Sequence, residues 1–304
     1  MPELPVDCRC LIFGCGALGS RVARRWHDAG ARVTIVTRSA AKAEQFRRQG
    51  YQPLVADITR PETLTELPTA KIILYCVGFD RSAGNTIHQV YAGGMRHVLS
   101  RSPSPATARL IYVSTTGVYA PVPGPAAQQA WVDEQWPTRP QRSGAKASLA
   151  AEQQLTGHPL GKRAIILRMA GLYGPGRISY QEKIRAGQPL AVPPESWLNL
   201  IHMDDAAAVV LAAGNWSGGN CQGPEIFNVA DGNPVLRGEY YREVARRLDA
   251  PEPQFITPNA NHPATTRAAT NKRICNLKLF QTLAIKLSFP TYREGLAAIL
   301  PQQQ

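Results

Sequence analysis

The stretch Cys10-Leu11-Ile12-Phe13-Gly14-Cys15-Gly16-Ala17-Leu18-Gly19 decides the fold of this 304-residue chain. Its four apolar residues end directly at a G-x-G-x-x-G pattern. A helix-like stretch follows, and Arg32-Val33-Thr34-Ile35-Val36 then supplies a second, β-branched run. A strand, a glycine turn, a helix and a strand in this order predict a unit that binds a dinucleotide.

The three glycines have separate roles in this prediction. Gly14 permits the tight turn, Gly16 lets the backbone approach a pyrophosphate, and Gly19 lets the helix pack against the sheet. Ala17 and Leu18 open the helix, whose free N–H groups and dipole favour phosphate. The alternative is a glycine turn that serves packing alone, but its position between two strands favours the dinucleotide site.

The composition is that of a globular protein with an ample core, since 44% of the residues are hydrophobic and 18% are charged. No run approaches the roughly 18 apolar residues of a membrane span. The start of the chain lacks the order of an export signal, and the six cysteines lack metal-site spacing. We therefore expect reduced thiols, no metal site, no membrane association and a cytoplasmic location.

The formal net charge of +12 raises the question of a nucleic-acid partner. The basic residues are, however, dispersed as doublets on helix-like segments, and no nucleic-acid-reading motif accompanies them. A basic cleft for an anionic substrate explains the charge at least as well. We expect a small-molecule substrate and no nucleic acid. Whether the chain forms a homodimer is left open.

Strand-like runs alternate with helix-like segments along the first part of the chain. Beyond the first unit, these runs are 52–55, 71–77, 109–113, 163–167 and 226–229. The alternation predicts an α/β fold with a doubly wound parallel sheet covered on both faces.

The same pattern predicts the division of the chain. A dinucleotide-binding domain is expected over residues 1–173, and residues 201–230 return to it with a helix at 201–213. Residues 121–141, rich in Pro and Gln, are expected to form a loop. Residues 174–200 and 231–304 have less regular periodicity and are expected to form a smaller C-terminal substrate-binding lobe.

Several segments together resemble the extended short-chain dehydrogenase/reductases, also called NAD-dependent epimerase/dehydratases. Besides the glycine motif, they are Val113-Ser114-Thr115-Thr116-Gly117-Val118-Tyr119, Leu167-Arg168 through Tyr173-Gly174-Pro175-Gly176, Leu200-Ile201-His202-Met203-Asp204-Asp205-Ala206 and Phe227-Asn228-Val229-Ala230. The segments follow the family's own order. The resemblance implies a Rossmann sheet of about seven strands and a small C-terminal substrate lobe.

The resemblance also places catalytic residues, with one departure. Family members carry a Ser or Thr after a strand and Tyr-x-x-x-Lys on the next helix. Thr115 and Lys146 match this pattern, but Arg142 occupies the tyrosine position. This departure, the glycine spacing and the segment Asn271-Lys272-Arg273-Ile274 resemble an atypical branch of the family that lacks the tyrosine.

The missing tyrosine leaves the proton transfer without its usual acid. Arg142 cannot replace it, because a guanidinium stays protonated in proteins. Arg142 could instead hold a carboxylate or phosphate of the substrate or stabilise an oxyanion, or it could lie on the helix surface. Thr115 and Lys146 also have ordinary interpretations, as a strand-end threonine and a solvated lysine. Three tyrosines are replacement acids to consider, and they are Tyr119, Tyr173 and Tyr180.

The end of the second strand predicts the cofactor. Thr37-Arg38-Ser39 lacks the acidic residue that an NAD site places on the ribose hydroxyls. Arg38 and Ser39 could hold a 2′-phosphate, so we expect NADP, with NAD as the second choice; the alternative is Arg38 stacked on the adenine. By resemblance, Asp57 contacts the adenine, or else it is a loop aspartate. The remaining expected cofactor contacts are Ile58, Cys76, Gly78 and Lys146.

Two functions from different classes remain open at this point. The first is an NAD(P)-dependent oxidoreductase or epimerase that acts on a small polar, sugar-linked or anionic metabolite. The second is an NADP-binding sensor that retains the fold without turnover. Thr115 and Lys146 favour the enzyme. A dehydratase is disfavoured, because Thr116 and Gly117 stand where the dehydratases that this chain resembles carry Asp and Glu.

Overall fold

The computed structural model describes residues 8–101, 109–122, 130–219, 222–257 and 271–300. The strands, in chain order, are β1 (Arg9–Phe13), β2 (Arg32–Thr37), β3 (Gln52–Val55), β4 (Ile72–Tyr75), β5 (Arg109–Thr115), β6 (Trp131–Val132), β7 (Ile165–Met169), β8 (Gly171–Tyr173), β9 (Leu190–Ala191), β10 (Trp197–Leu198), β11 (Leu200–His202), β12 (Glu225–Val229), β13 (Val235–Leu236), β14 (Phe255–Ile256) and β15 (Arg273–Ile274). The α-helices are α1 (Ala17–Asp28), α2 (Ala40–Arg48), α3 (Gly94–Arg101), α4 (Ser143–Thr156), α5 (Gln181–Arg185), α6 (Met203–Asn215), α7 (Arg237–Arg247), α8 (Leu277–Leu283) and α9 (Tyr292–Ile299).

The chain divides into two compact units. The first comprises Met1–Val118, Ser143–Arg168 and Ala207–Phe227. The second comprises Tyr119–Arg142, Met169–Ala206 and Asn228–Gln304. Within the described part of the chain, no helix has both the length and the apolar character needed to cross a bilayer.

The first unit is built on a seven-stranded sheet with the order β12-β7-β5-β4-β1-β2-β3. β1 pairs in parallel with β2 on one side and with β4 on the other. The pairs β2–β3 and β4–β5 are parallel as well. This is the doubly wound Rossmann architecture that the alternation of strands and helices predicts, and the expected number of strands is confirmed.

The strands of this sheet are apolar because helices cover both of its faces. All four residues of β4 are buried, as are four of the five residues of β1. Helix α1 packs its apolar stripe inward through Leu18, Val22 and Trp26, all of them buried. Its charged residues occupy the remaining positions, as an amphipathic helix requires.

A buried ion pair joins β5, α4 and β7 inside the first unit. Arg168 donates to Glu152 from Nε and Nη2, at 3.2 and 2.7 Å, and both side chains are at most 5% exposed. The hydroxyl of Ser114 donates to the same carboxylate. Because each charge is hydrogen-bonded as well as paired, the network offsets part of the desolvation cost of burying it.

The second unit has its own core, and the buried Asn228 links several of its segments by hydrogen bonds. Asn228 is fully buried and donates from its amide nitrogen to the carbonyl oxygens of Val132, at 3.3 Å, and Cys275, at 3.0 Å. The hydroxyl of Tyr119 donates to the Asn228 side-chain oxygen at 2.7 Å, and the Asn228 backbone N–H donates to Glu134. These bonds hold the short parallel pair β6–β15 in place.

Two details differ from the sequence prediction. The expected helix at 201–213 begins only at Met203, because Leu200–His202 forms β11 and pairs in parallel with β8. The expected loop at 121–141 contains β6, and its residues 123–129 lie outside the described residues. In both cases the partner strand is distant in sequence, so local patterning carries no signal for the pairing.

The buried ion pair yields a prediction about stability. Glu152→Ala leaves the Arg168 guanidinium buried without its carboxylate, and we expect a loss of about 3–5 kcal/mol in the free energy of unfolding. Urea denaturation measures the effect. Glu44→Ala is the matched control, because Glu44 pairs with Arg47 and Arg48 on the surface of α2 and its loss should cost less than about 1 kcal/mol. Equal losses of unfolding free energy in the two variants would contradict a stabilising role for the buried ion pair.

Candidate functional site

A cleft of about 310 Å³ lies in the first unit at the carboxyl ends of β1, β2 and β4. Its lining residues are Phe13, Gly14, Cys15, Gly16, Val36, Thr37, Arg38, Lys42, Phe46, Ala56, Asp57, Ile58, Thr59, Val77, Gly78, Asp80, Ala83 and Val90. β1 has β2 on one side and β4 on the other, so the cleft lies where the order of the strands reverses. Open α/β sheets bind their ligands at this position.

Two glycines of the motif are required by the backbone itself. Gly14 has φ = +95°, and a Cβ atom on it would lie 2.6 Å from the carbonyl oxygen of Cys76. A Cβ atom on Gly19 would lie 2.2 Å from the carbonyl oxygen of Gly14. A side chain on Gly14 would push the turn away from the backbone that follows β4, and a side chain on Gly19 would push α1 away from the turn.

Gly16 is required by no protein contact. It is exposed, its φ is −87°, and a Cβ atom on it would meet nothing within 4 Å. It is also the N-cap of α1, whose first turn has no acidic residue. Ala17, Leu18 and Gly19 lie in that first turn, so their N–H groups are at the positive end of the helix dipole. The arrangement suits an anionic group close to the backbone of Gly16.

The two thiols at the turn are half-buried. Cys76 donates from its Sγ to the carbonyl oxygen of Gly14 at 2.9 Å, and burial raises its pKa well above the ordinary value. Cys15 lines the cleft, and burial raises its pKa to about 11. Cys76, expected as a cofactor contact, lies behind the turn and supports it.

The end of β2 brings opposite charges together. Arg38 lines the cleft and donates to the Asp80 carboxylate at 3.0 Å, both side chains being nearly half exposed. Ser82, through its hydroxyl and its backbone N–H, and Arg38 together lower the pKa of Asp80. Lys42, on the first turns of α2, lines the same cleft. Ser39 does not belong to the lining; its hydroxyl caps α2 by accepting from the Lys42 N–H at 3.2 Å.

The lining of the cleft also contains Asp57 and Ile58, which follow β3, and Gly78, which follows β4. One carboxylate oxygen of Asp57 accepts from the N–H and the hydroxyl of Thr59, both at 2.8 Å. The carbonyl oxygen of Ile58 contacts the Nδ1 atom of His97 at 2.8 Å. Asp57 therefore lies in the cleft and stabilises its own loop at the same time.

The expected catalytic residues lie outside the lining of this cleft. Thr115 ends β5, is half-buried, and accepts from the Gly117 N–H at 3.1 Å. Lys146 is exposed on the first turn of α4, in the same unit. Arg142 directly precedes α4 and belongs to the second unit. Their roles in catalysis stay predictions.

The candidate replacement acids are in the second unit. Tyr119 is fully buried and its hydroxyl donates to Asn228, a structural contact. Burial raises the pKa of Tyr173 far above the ordinary value, which makes its proton harder to give up. Tyr180 has φ = +61° and packs edge-on against Tyr241. Asp231, which the sequence did not single out, is 5% exposed, and burial raises its pKa to about 7.

Two charged cleft residues, Lys42 and Asp80, were missed by sequence reasoning, and only one of them had a local signal. Lys42 follows Arg38 by four residues, at the start of the helix after β2, so its nearness to Arg38 could be read from the sequence. Asp80 lies 42 residues beyond Arg38, and only the pairing of β1 with β4 brings them together. Among the described residues, no group of three or more potential metal ligands occurs.

Comparisons with known proteins agree with this geometry. The chain is 27% identical over 274 residues to protein YeeZ of Escherichia coli K12, covering 87% of this chain and 92% of that protein. A functionally unknown conserved protein from Silicibacter pomeroyi is 25% identical with a TM-score of 0.74, over 96% and 98% of the two chains. A UDP-glucose 4-epimerase of Thermotoga maritima with UDP-glucose has a TM-score of 0.77 at 18% identity, over 96% and 97%.

A UDP-glucose 4-epimerase of Thermus thermophilus in complex with NAD has a TM-score of 0.75 at 18% identity, over 97% and 98% of the chains. Residues 10–230, which contain the glycine turn, the cleft and the strand-end Thr115, match the family model of the NAD dependent epimerase/dehydratase family. The chain therefore belongs to the NAD-dependent epimerase/dehydratase family.

Proposed function

We propose that this protein binds a nicotinamide dinucleotide in the cleft of the first unit and uses it to oxidise, reduce or epimerise a small polar metabolite. The observation that carries the proposal is the cleft itself. It combines the open side of Gly16, the N-terminus of α1, two cations and Asp57 at the strand-order reversal. These features fit the pyrophosphate, the adenosine phosphate and the adenine of a dinucleotide.

The proposal includes NADP as the preferred cofactor. Arg38 and Lys42 offer two cations to a 2′-phosphate, and the residues between them include no carboxylate. Asp80 competes for Arg38, but the ion pair is exposed and such pairs contribute about 0–1 kcal/mol. A charge-assisted hydrogen bond to a phosphate contributes about 1.5–3 kcal/mol. The phosphate should therefore displace Asp80 from Arg38.

A bound nicotinamide supplies hydride acceptance and donation. The residues of the chain have to bind the reacting oxygen and manage its proton. In this proposal, the Thr115 hydroxyl hydrogen-bonds that oxygen and Lys146 holds the cofactor ribose. With Arg142 at the tyrosine position, the proton must come from water, from a substrate group or from another side chain, so turnover is slow unless the substrate supplies its own acid.

The substrate class is the least defined part of the proposal. Two of the structural relatives are UDP-glucose 4-epimerases, one of them with UDP-glucose, which supports a sugar-linked or otherwise anionic metabolite. The second unit contains residues 174–200 and most of the C-terminal segment. We assign substrate binding to this unit.

Gly16→Val tests the cofactor site. The valine side chain has room in the protein but enters the path of the pyrophosphate, so we expect a folded variant with affinity reduced about 10-fold or more. Calorimetric titration with NADP and NAD measures the change. Gly223→Val is the control, because Gly223 also has an open Cβ position and does not line the cleft. If the folded Gly16→Val variant binds NADP and NAD with unchanged affinity, the cofactor site does not lie at this turn.

Paired variants at the end of β2 test the cofactor preference. We expect wild-type protein to bind NADP more tightly than NAD by roughly 10- to 150-fold, the effect of one charge-assisted hydrogen bond. Arg38→Ala should abolish the preference, and Asp80→Asn should increase it by freeing Arg38. Arg48→Ala is the control, since Arg48 is exposed on α2 outside the cleft. Equal or tighter NAD binding by wild type would refute the preference.

Thr115→Ala and Lys146→Ala test the chemistry. Thr115→Ala should lower turnover by about 10²–10³-fold with cofactor affinity unchanged, because it removes a hydrogen bond to the reacting oxygen. Lys146→Ala should weaken cofactor binding and activity together, whereas Lys162→Ala, an exposed lysine in the same unit, should do neither. The substrates are a panel of sugar nucleotides and small anionic metabolites. Turnover rates are measured by cofactor absorbance and by chromatography of the products.

One result would favour the sensor function over the enzyme function. If no metabolite of the panel is converted while NADP binds tightly and changes the association state of the protein, the chain is a cofactor-binding regulator without turnover.

A further inference from the structure

The helix that follows β4 in the first unit contains a widened turn. Residues Gln89–Gly93 form a single π-helical turn, which runs directly into α3. The start of this helix is fixed, because the Thr86 N–H and hydroxyl donate to the Gln89 side-chain oxygen at 2.8 and 2.9 Å. Single π-helical turns occur frequently at functional sites. Val90, a residue of this turn, lines the cleft to which the dinucleotide is assigned.

Tyr75, the last residue of β4, holds the π-helical turn by a hydrogen bond. It is 1% exposed, and its hydroxyl donates to the Val90 carbonyl oxygen at 3.1 Å. Burial raises the pKa of Tyr75 well above its ordinary value, so the hydroxyl keeps its proton and acts as the donor. Its ring packs against Phe13 on β1 and Tyr112 on β5, the two neighbouring strands. The central sheet thus fixes the backbone of a cleft residue through this hydroxyl.

The same helix also contacts Ile58, a second residue of the cleft lining. A Cβ atom on Gly94 would lie 2.6 Å from both the Ile58 Cδ1 atom and the Tyr75 hydroxyl oxygen, so a side chain there would displace one of them. On the following turn of α3, His97 Nδ1 lies 2.8 Å from the Ile58 carbonyl oxygen. Because a carbonyl oxygen only accepts, Nδ1 carries the proton and donates. The helix therefore holds Ile58 at its side chain and at its backbone.

Ile58 and Val90 form an aliphatic part of the cleft wall. Each is 7% exposed, and both belong to the hydrophobic cluster that contains Tyr75. Ile58 directly follows Asp57, which the proposed function assigns to the adenine. The faces of an adenine ring are apolar, and aliphatic side chains suit them. A wall that is ordered before the ligand arrives raises the affinity, because less conformational entropy is lost on binding.

We propose that Tyr75 and His97 are positioning residues for the cofactor, and that they act by holding Val90 and Ile58 against its adenine. The inference rests on the proposed function, which supplies the dinucleotide. Neither Tyr75 nor His97 belongs to the lining of the cleft. Both residues therefore act on the affinity through the residues that they hold.

The first experiment is calorimetric titration of Tyr75→Phe. The ligands are the dinucleotide that wild type binds more tightly and its adenosine fragment, which is adenosine 2′,5′-bisphosphate for NADP and AMP for NAD. Phenylalanine keeps the ring contacts and removes the hydrogen bond to Val90. We expect both affinities to fall by the same factor, roughly 2- to 10-fold, the effect of one hydrogen bond.

Tyr119→Phe is the matched control for this variant. It also removes the hydroxyl of a fully buried tyrosine, but that hydroxyl donates to Asn228, and both residues belong to the second unit. We expect it to leave both affinities unchanged. Calorimetry also gives the number of binding sites, so a partly unfolded variant is recognised by a lowered stoichiometry and not by a lowered affinity.

The second experiment compares His97→Ala with His97→Asn. His97→Ala removes the donor to the Ile58 carbonyl oxygen and should lower the affinities for the dinucleotide and the fragment by roughly 2- to 10-fold. His97→Asn should restore most of this loss, because the asparagine amide nitrogen takes the place of Nδ1 and can donate to the same oxygen.

The results separate this inference from the proposed function. Equal losses for the dinucleotide and the fragment in Tyr75→Phe and His97→Ala, with recovery in His97→Asn, support the positioning role. Unchanged affinity in both variants, or a loss for the dinucleotide that the fragment does not share, overturns this role and leaves the cofactor site standing. If wild type binds neither NADP nor NAD, the proposed function is wrong and the positioning role is overturned with it.

Discussion

The fold depends on the close approach of the first glycine turn to β4. Gly14 and Gly19 are in contact with backbone atoms at distances that leave no space for a side chain. Because of this fit, α1 begins directly above the end of β1, and its N-terminus points into the cleft. The order β4-β1-β2 then brings the ends of three strands around the same point. One more carbon atom on Gly14 would force the turn away from the backbone that follows β4, and one on Gly19 would force α1 away from the turn.

The central sheet was predictable from local patterns because each strand of a parallel sheet is a short, nearly continuous apolar run. Ile72–Tyr75 is completely buried, and its sequence shows this without knowledge of its partners. The second unit is different. Its strands β6 and β15 are two residues each and pair across more than 140 residues of sequence. Leu200–His202 likewise becomes a strand only because β8 is available. No periodicity in such short segments distinguishes a strand from a helix or a loop.

The candidate site shows the same limit. Gly14, Gly16, Arg38, Asp57, Ile58 and Gly78 line the cleft and could be named from the sequence because each follows a strand of the sheet. Ser39 was also named, but its hydroxyl is used as a helix cap, and a serine before a helix has that role by default. Asp80 was not named, because its relation to Arg38 depends on the neighbourhood of strands and not on spacing in the chain.

The cysteines of the turn have a consequence for the handling of oxidants. Thiols react as thiolates, and burial raises the pKa of Cys15 to about 11, which lowers its thiolate fraction at neutral pH. Cys76 is still less acidic, and its proton is engaged by the Gly14 carbonyl oxygen. The raised pKa values lower the reactivity of both sulfur atoms towards peroxide and alkylating reagents. The glycine turn thus accommodates cysteine while limiting its thiolate chemistry.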